Sequence, residues 1–64
     1  MKYQVGDLVE VVKKSNWAGL PVGSLCLIVD YYYDGEGEKG YRVKHTENKK
    51  GERILYQDEI EKIG

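Results

Sequence analysis

One cysteine, one histidine, one proline, one tryptophan and no phenylalanine occur among the 64 residues of this chain. Each scarcity excludes something. A lone cysteine cannot close an intrachain disulfide. Its place inside the apolar run Leu25-Cys26-Leu27 fits a reducing compartment, so a cytoplasmic location is expected. Cys26 and His45 together do not make a zinc site, and no metal or cofactor is expected. His45 has no candidate partner at a useful spacing, and Ser15 and Ser24 lack any nucleophile context, so no enzyme is expected.

A charge excess is also missing. Ten Lys and Arg stand against eleven Asp and Glu, a formal net charge of −1. Affinity through broad phosphate neutralisation needs many more cations than acids. The opening Met1-Lys2-Tyr3-Gln4-Val5-Gly6-Asp7 places a glycine and an acid where a leader would need an apolar core. No apolar run approaches the length of a membrane-crossing helix, so no membrane contact is expected. A chain of this size buries only about 60% of its unfolded surface. Without a disulfide, a small core or a partner must hold the fold.

What the chain has is β-forming sequence from end to end, with no repeat, linker or low-complexity tail. It reads as one domain over residues 1–64. Val5-Gly6-Asp7 is a turn signal ahead of a first strand over residues 8–12, Leu-Val-Glu-Val-Val. A polar loop follows, then Trp17-Ala18-Gly19-Leu20-Pro21-Val22-Gly23, a loop carrying apolar anchors. A second strand runs from Ser24 to Tyr32. Leu25, Leu27, Val29 and Tyr31 share one face; Cys26, Ile28, Asp30 and Tyr32 share the other. Two apolar faces over its first half predict a strongly coiled strand that feeds the core from both sides.

Residues 34–40, Asp-Gly-Glu-Gly-Glu-Lys-Gly, form an acidic hairpin connection. No helix follows these glycines, and the acids Asp34, Glu36 and Glu38 would repel a phosphate while lacking the spacing of a calcium loop. A third strand over 41–45 puts Tyr41, Val43 and His45 on one side and Arg42 and Lys44 on the other. A turn at 47–51 leads to a fourth strand over 52–56. Gln57-Asp58-Glu59-Ile60 reads as a single helical turn with acids at its N-terminal end. Glu61-Lys62-Ile63 closes the chain as a short last strand.

Three segments carry a resemblance. Val5-Gly6-Asp7-Leu8-Val9-Glu10-Val11-Val12, the step Gly19-Leu20-Pro21-Val22-Gly23, and the tail Tyr56-Gln57-Asp58-Glu59-Ile60-Glu61-Lys62-Ile63 resemble the opening, middle and closing segments of SH3-like and KOW-like barrels. The pattern covers most of the chain and is similar to small SH3-like proteins encoded by bacteriophages. It implies an all-β fold: a small SH3-like barrel of about five strands with a single helical turn before the last. It implies no particular activity, and the chain is less basic than KOW modules generally are.

The aromatics carry the functional question. Trp17, Tyr31, Tyr32, Tyr33, Tyr41 and Tyr56 are many large rings for so small a barrel. Three consecutive tyrosines in an extended segment cannot all face inward, and an exposed Tyr packs its ring while its hydroxyl stays wet. The first expectation is therefore a non-catalytic module docking a protein partner through Trp17, Tyr31, Tyr32, Tyr33 and Tyr56. The second is nucleic-acid binding through Arg42, Lys44, Lys49, Lys50 and Arg53 with Tyr stacking. The third is a structural homodimer built on the apolar faces of the central strand.

Overall fold

The computed structural model describes residues 2–14, 19–33, 35–37, 39–47 and 51–64. Five strands follow one another as β1 (Leu8–Val11), β2 (Leu25–Tyr33), β3 (Lys39–His45), β4 (Glu52–Tyr56) and β5 (Ile60–Lys62). A single 3₁₀ turn, Gln57–Glu59, sits between the last two. Every pairing is antiparallel, in the order β4-β3-β2-β1-β5. The chain is all-β, and no helix among the described residues is long and apolar enough to cross a membrane.

One face of this sheet makes the core. Val9 and Val11 come from β1, Cys26 and Ile28 from β2, Tyr41 and Val43 from β3, Leu55 from β4 and Ile60 from β5. Side chains from both edge strands reach the same cluster, so the sheet is rolled around it. Leu20 from the first loop and Tyr3 from the N-terminal segment fill the ends. Each fully buried Val, Leu or Ile contributes about 1.5–3 kcal/mol, which is how a chain this short offsets its ordering entropy.

Two of the turns that frame β1 have physical causes. In Gln4-Val5-Gly6-Asp7, Gly6 takes φ 97°, a region costly for residues with a Cβ. The Asp7 carboxylate accepts the Gln4 amide at 2.9 Å and lies 3.7 Å from Lys62 Nζ. The Gly-Asp pair thus ties the entry of β1 to β5. In the second turn, Gly23 at φ 95° lets its amide reach the Val11 carbonyl at 2.8 Å. The Ser24 hydroxyl caps the same turn on the Pro21 carbonyl at 2.7 Å.

Several expectations need correction. β2 does not feed the core from both faces: Cys26 and Ile28 are buried, whereas Leu25 and Leu27 are each 40% exposed. The coiling takes the form of a β-bulge, since the register steps from Ile28↔Val43 to Asp30↔Arg42 and leaves Val29 as the extra residue. The bulge reverses the alternation beyond it, so Tyr31 joins the core side with Cys26 and Ile28, and Tyr32 turns to the outer face with Leu25 and Leu27. β3 begins at Lys39, two residues before the expected Tyr41, which places Gly40 inside a strand. The last strand starts at Ile60, and β1 ends at Val11 with Val12 exposed.

Candidate functional site

The outer face of β2, β3 and β4 is built from three cross-strand rows. They are Leu27–Lys44–Glu52, Asp30–Arg42–Ile54 and Tyr32–Gly40–Tyr56. The last row makes the site. Tyr32 and Tyr56 are two strand spacings apart, about 10 Å between backbones, and Gly40 between them contributes no side chain. A Cβ at position 40 would lie 3.1 and 3.2 Å from ring carbons of Tyr56 and 3.1 Å from the Leu55 carbonyl oxygen. The Tyr56 ring therefore leans over the glycine.

The result is a groove of about 480 Å³ lined by Tyr32, Glu52, Arg53, Ile54 and Tyr56. Tyr32, Arg53, Ile54 and Tyr56 are half-buried, and Glu52 is exposed. On its other side Tyr56 also walls a more polar hollow with Gly37, Lys39, Gln57 and Asp58. Tyr56 is thus the shared wall of two concavities.

Charges cross the outer face beside the groove in a chain. Arg42 lies 3.6 Å from Asp30 and 3.5 Å from Glu52, with all three side chains about half exposed. Pairs this wet contribute little stability, but they hold the Arg42 guanidinium between two carboxylates.

The tyrosine run does not act as one surface. Tyr32 lies with Tyr56 in the groove. Tyr31 leans on buried Tyr41, with ring centroids 6.2 Å apart, and its hydroxyl accepts the Val5 amide at 3.3 Å. Tyr33 lies on the Tyr31 side at the end of β2 and is 61% exposed. Trp17 falls outside the described residues. Among the basic candidates, Arg42 is held as above, Lys44 is exposed on β3, and Arg53 donates to the Glu52 carbonyl at 2.9 Å. Lys49 and Lys50 lie outside the described residues. Three of the exposed apolar residues, Leu27, Leu8 and Ile63, form a separate stripe. Leu27 pairs with Leu8 across the ladder, and the Ile63 amide bonds to the Leu8 carbonyl at 2.9 Å.

Sequence reasoning passed over Gly40 and Ile54. Ile54 was recoverable, because alternation along residues 52–56 puts it on the Tyr56 face. Gly40 was hidden in an acidic, glycine-rich stretch that reads as hairpin tip. His45 sits at the end of β3, where its Nδ1 accepts the Glu47 amide at 3.0 Å. Cys26 is fully buried, and burial pushes its thiol pKa up from the ordinary value. A thiol held neutral in this way is a core side chain and a poor nucleophile.

Comparison with protein-family models, with curated proteins and with solved structures found no match.

Proposed function

We propose that this chain is a non-catalytic, SH3-like binding module that docks a protein segment in the groove between Tyr32 and Tyr56. The row Tyr32–Gly40–Tyr56 carries the reading. Two half-buried tyrosines flank a position without a side chain, beside apolar Ile54, and the concavity is open. Such a surface offers rigid aromatic contact at low entropic cost and keeps two hydroxyls for polar contacts. Five antiparallel strands with one 3₁₀ turn before the last support the SH3-like part of the reading.

The test compares retention of proteins on the immobilised chain with retention on three variants. Tyr32→Ala and Tyr56→Ala should each lose retained protein, while Tyr33→Ala, across the sheet, should retain it. Retention indifferent to both groove substitutions would overturn the reading.

Nucleic-acid binding has less support. Arg42 is already held between Asp30 and Glu52, so a phosphate would have to compete with two carboxylates. A single-stranded oligonucleotide at low salt is the direct check, and a mobility shift that weakens steeply with added salt would favour that alternative.

A further inference from the structure

The groove runs along β4, and β4 is an edge. Among the described residues no strand pairs with its outer side. Hydrogen-bond alternation shows which main-chain groups this leaves. The Thr46 amide bonds to the Leu25 carbonyl at 3.0 Å, so Thr46 and, by alternation, Lys44 and Arg42 turn their backbone groups toward β2. Tyr41 and Val43 therefore bond to β4, through their partners Leu55 and Arg53. Glu52, Ile54 and Tyr56 point their main-chain groups outward.

Two of the outward groups are covered by side chains. The Arg53 guanidinium donates to the Glu52 carbonyl at 2.9 Å, and a Glu59 carboxylate oxygen accepts the Tyr56 amide at 2.8 Å. They stand where a neighbouring strand's groups would stand. Between them lies Ile54, whose N–H and C=O face outward, beside the groove that Ile54 itself lines. The edge carries no proline, and its register with β3 is unbroken from Gly40↔Tyr56 to Lys44↔Glu52. Those are two of the usual devices that keep an edge from pairing, and neither is used.

We infer that the docked segment is an extended peptide of a partner protein that adds antiparallel to β4, centred on the main chain of Ile54. This inference rests on the docking reading above and extends the docked segment from the groove onto the adjoining outer edge of β4. Alternation fixes its side-chain chemistry. The peptide residue bonded to Ile54 points its side chain onto the outer face, and so do the residues two before and two after it. In the antiparallel direction they lie beside Tyr56, Ile54 and Glu52 in turn. Glu52 is the outermost charge of its row, so the last of the three meets a carboxylate. The pattern is aromatic or apolar, any residue, apolar, any residue, then Lys or Arg.

A second copy of β4 fits the edge less well. Pairing two such strands about Ile54 would set Glu52 against Tyr56 and displace the Arg53 and Glu59 side chains in both copies. Five residues of strand bury much less than the roughly 1,200 Å² of a stable interface.

The probe is the acetylated, amidated peptide Thr-Tyr-Thr-Val-Thr-Lys-Thr, titrated into the isotope-labelled full chain and followed by amide NMR shifts and hydrogen exchange. Exchange of the Ile54 amide should slow by about tenfold or more on saturation. N-methylation of the peptide's valine, which removes the N–H aimed at the Ile54 carbonyl, should weaken binding by about tenfold. Binding that depends on Tyr32 and Tyr56 yet ignores N-methylation would overturn strand addition and leave the docking groove standing. Ile54 protection that ignores both tyrosines would overturn the groove and leave strand addition standing. No change at Ile54 up to about 1 mM peptide, the weak end of useful contacts, would overturn the inference. So would Ile54 protection that rises with protein concentration alone, which would give the edge to a second copy.

Discussion

Gly40 lies directly across the ladder from Tyr56, and the Tyr56 ring occupies the space a side chain at position 40 would need. The contact is two-sided. A new Cβ would meet ring carbons at 3.1 and 3.2 Å and the Leu55 carbonyl oxygen at 3.1 Å. The ring can swing away, but the carbonyl is held in the ladder with Tyr41. Gly40→Ala should therefore destabilise the fold by about 1–3 kcal/mol, the usual cost of overpacking. Adding Tyr56→Ala should recover only the ring's share. Urea unfolding of the single and double variants measures both, and an unchanged midpoint for Gly40→Ala would show that the row has slack.

Tyr41 holds the N-terminal segment. Its hydroxyl accepts the buried Tyr3 amide at 2.9 Å, and the two rings meet edge-on with centroids 5.6 Å apart. The Tyr3 hydroxyl in turn donates to the Ile60 carbonyl at 3.2 Å. Tyr41→Phe strands a buried N–H and should cost about 1–3 kcal/mol. Tyr3→Phe removes a longer bond from a carbonyl with a second lone pair and should cost less, about 0.5–1.5 kcal/mol. Equal losses in denaturant titration would mean that the two hydroxyls act as one network.

Cys26 gives a pH prediction whose sign follows from burial. Desolvation raises the thiol pKa in the folded chain above its unfolded value. The neutral thiol's contribution is complete below the ordinary thiol range and is lost as pH climbs through the raised folded value, because the unfolded chain releases its proton first. Stability of the wild-type chain relative to Cys26→Ala should thus fall across that alkaline window. Equilibrium unfolding of both chains at stepped pH checks it. A difference that grows with pH would reverse the assignment. A thiol reagent should label Cys26 only once denaturant is added.

Much of the strand layout was legible because strands, turns and the 3₁₀ segment each have local chemistry behind them. Gly6 and Asp7 announced a turn that both residues build, and residues 52–56 alternate as a strand must. The faces of β2 were less legible. Leu25 and Leu27 are as apolar as Ile28, and composition cannot say that their side of the sheet is open to solvent. The bulge at Val29 leaves no mark in the sequence, yet it decides that Tyr32 and not Tyr31 joins Tyr56. Tyr3 was missed for a similar reason. It stands before the first strand, and only the folded chain shows Tyr41 and Ile60 beside it.

The β4 edge supplies the last prediction. Arg53 and Glu59 cover the outward carbonyl of Glu52 and the outward amide of Tyr56. Removing either cover leaves a longer run of unpaired main chain beside the apolar wall of Ile54 and Tyr56, the combination that templates pairing with another chain. Glu59→Ala should therefore raise self-association. Arg53→Ala should do the same, and the double variant more strongly still. The main-chain contacts of Glu59 do not depend on its side chain: its carbonyl accepts the Val12 amide at 2.9 Å in any variant that folds. Sedimentation velocity over a concentration series gives the readout. The wild-type chain should show the least concentration dependence, and the strand-adding peptide should bind the Arg53→Ala chain more tightly than wild type. If both variants sediment as wild type at every concentration, the two side chains are not guarding the edge.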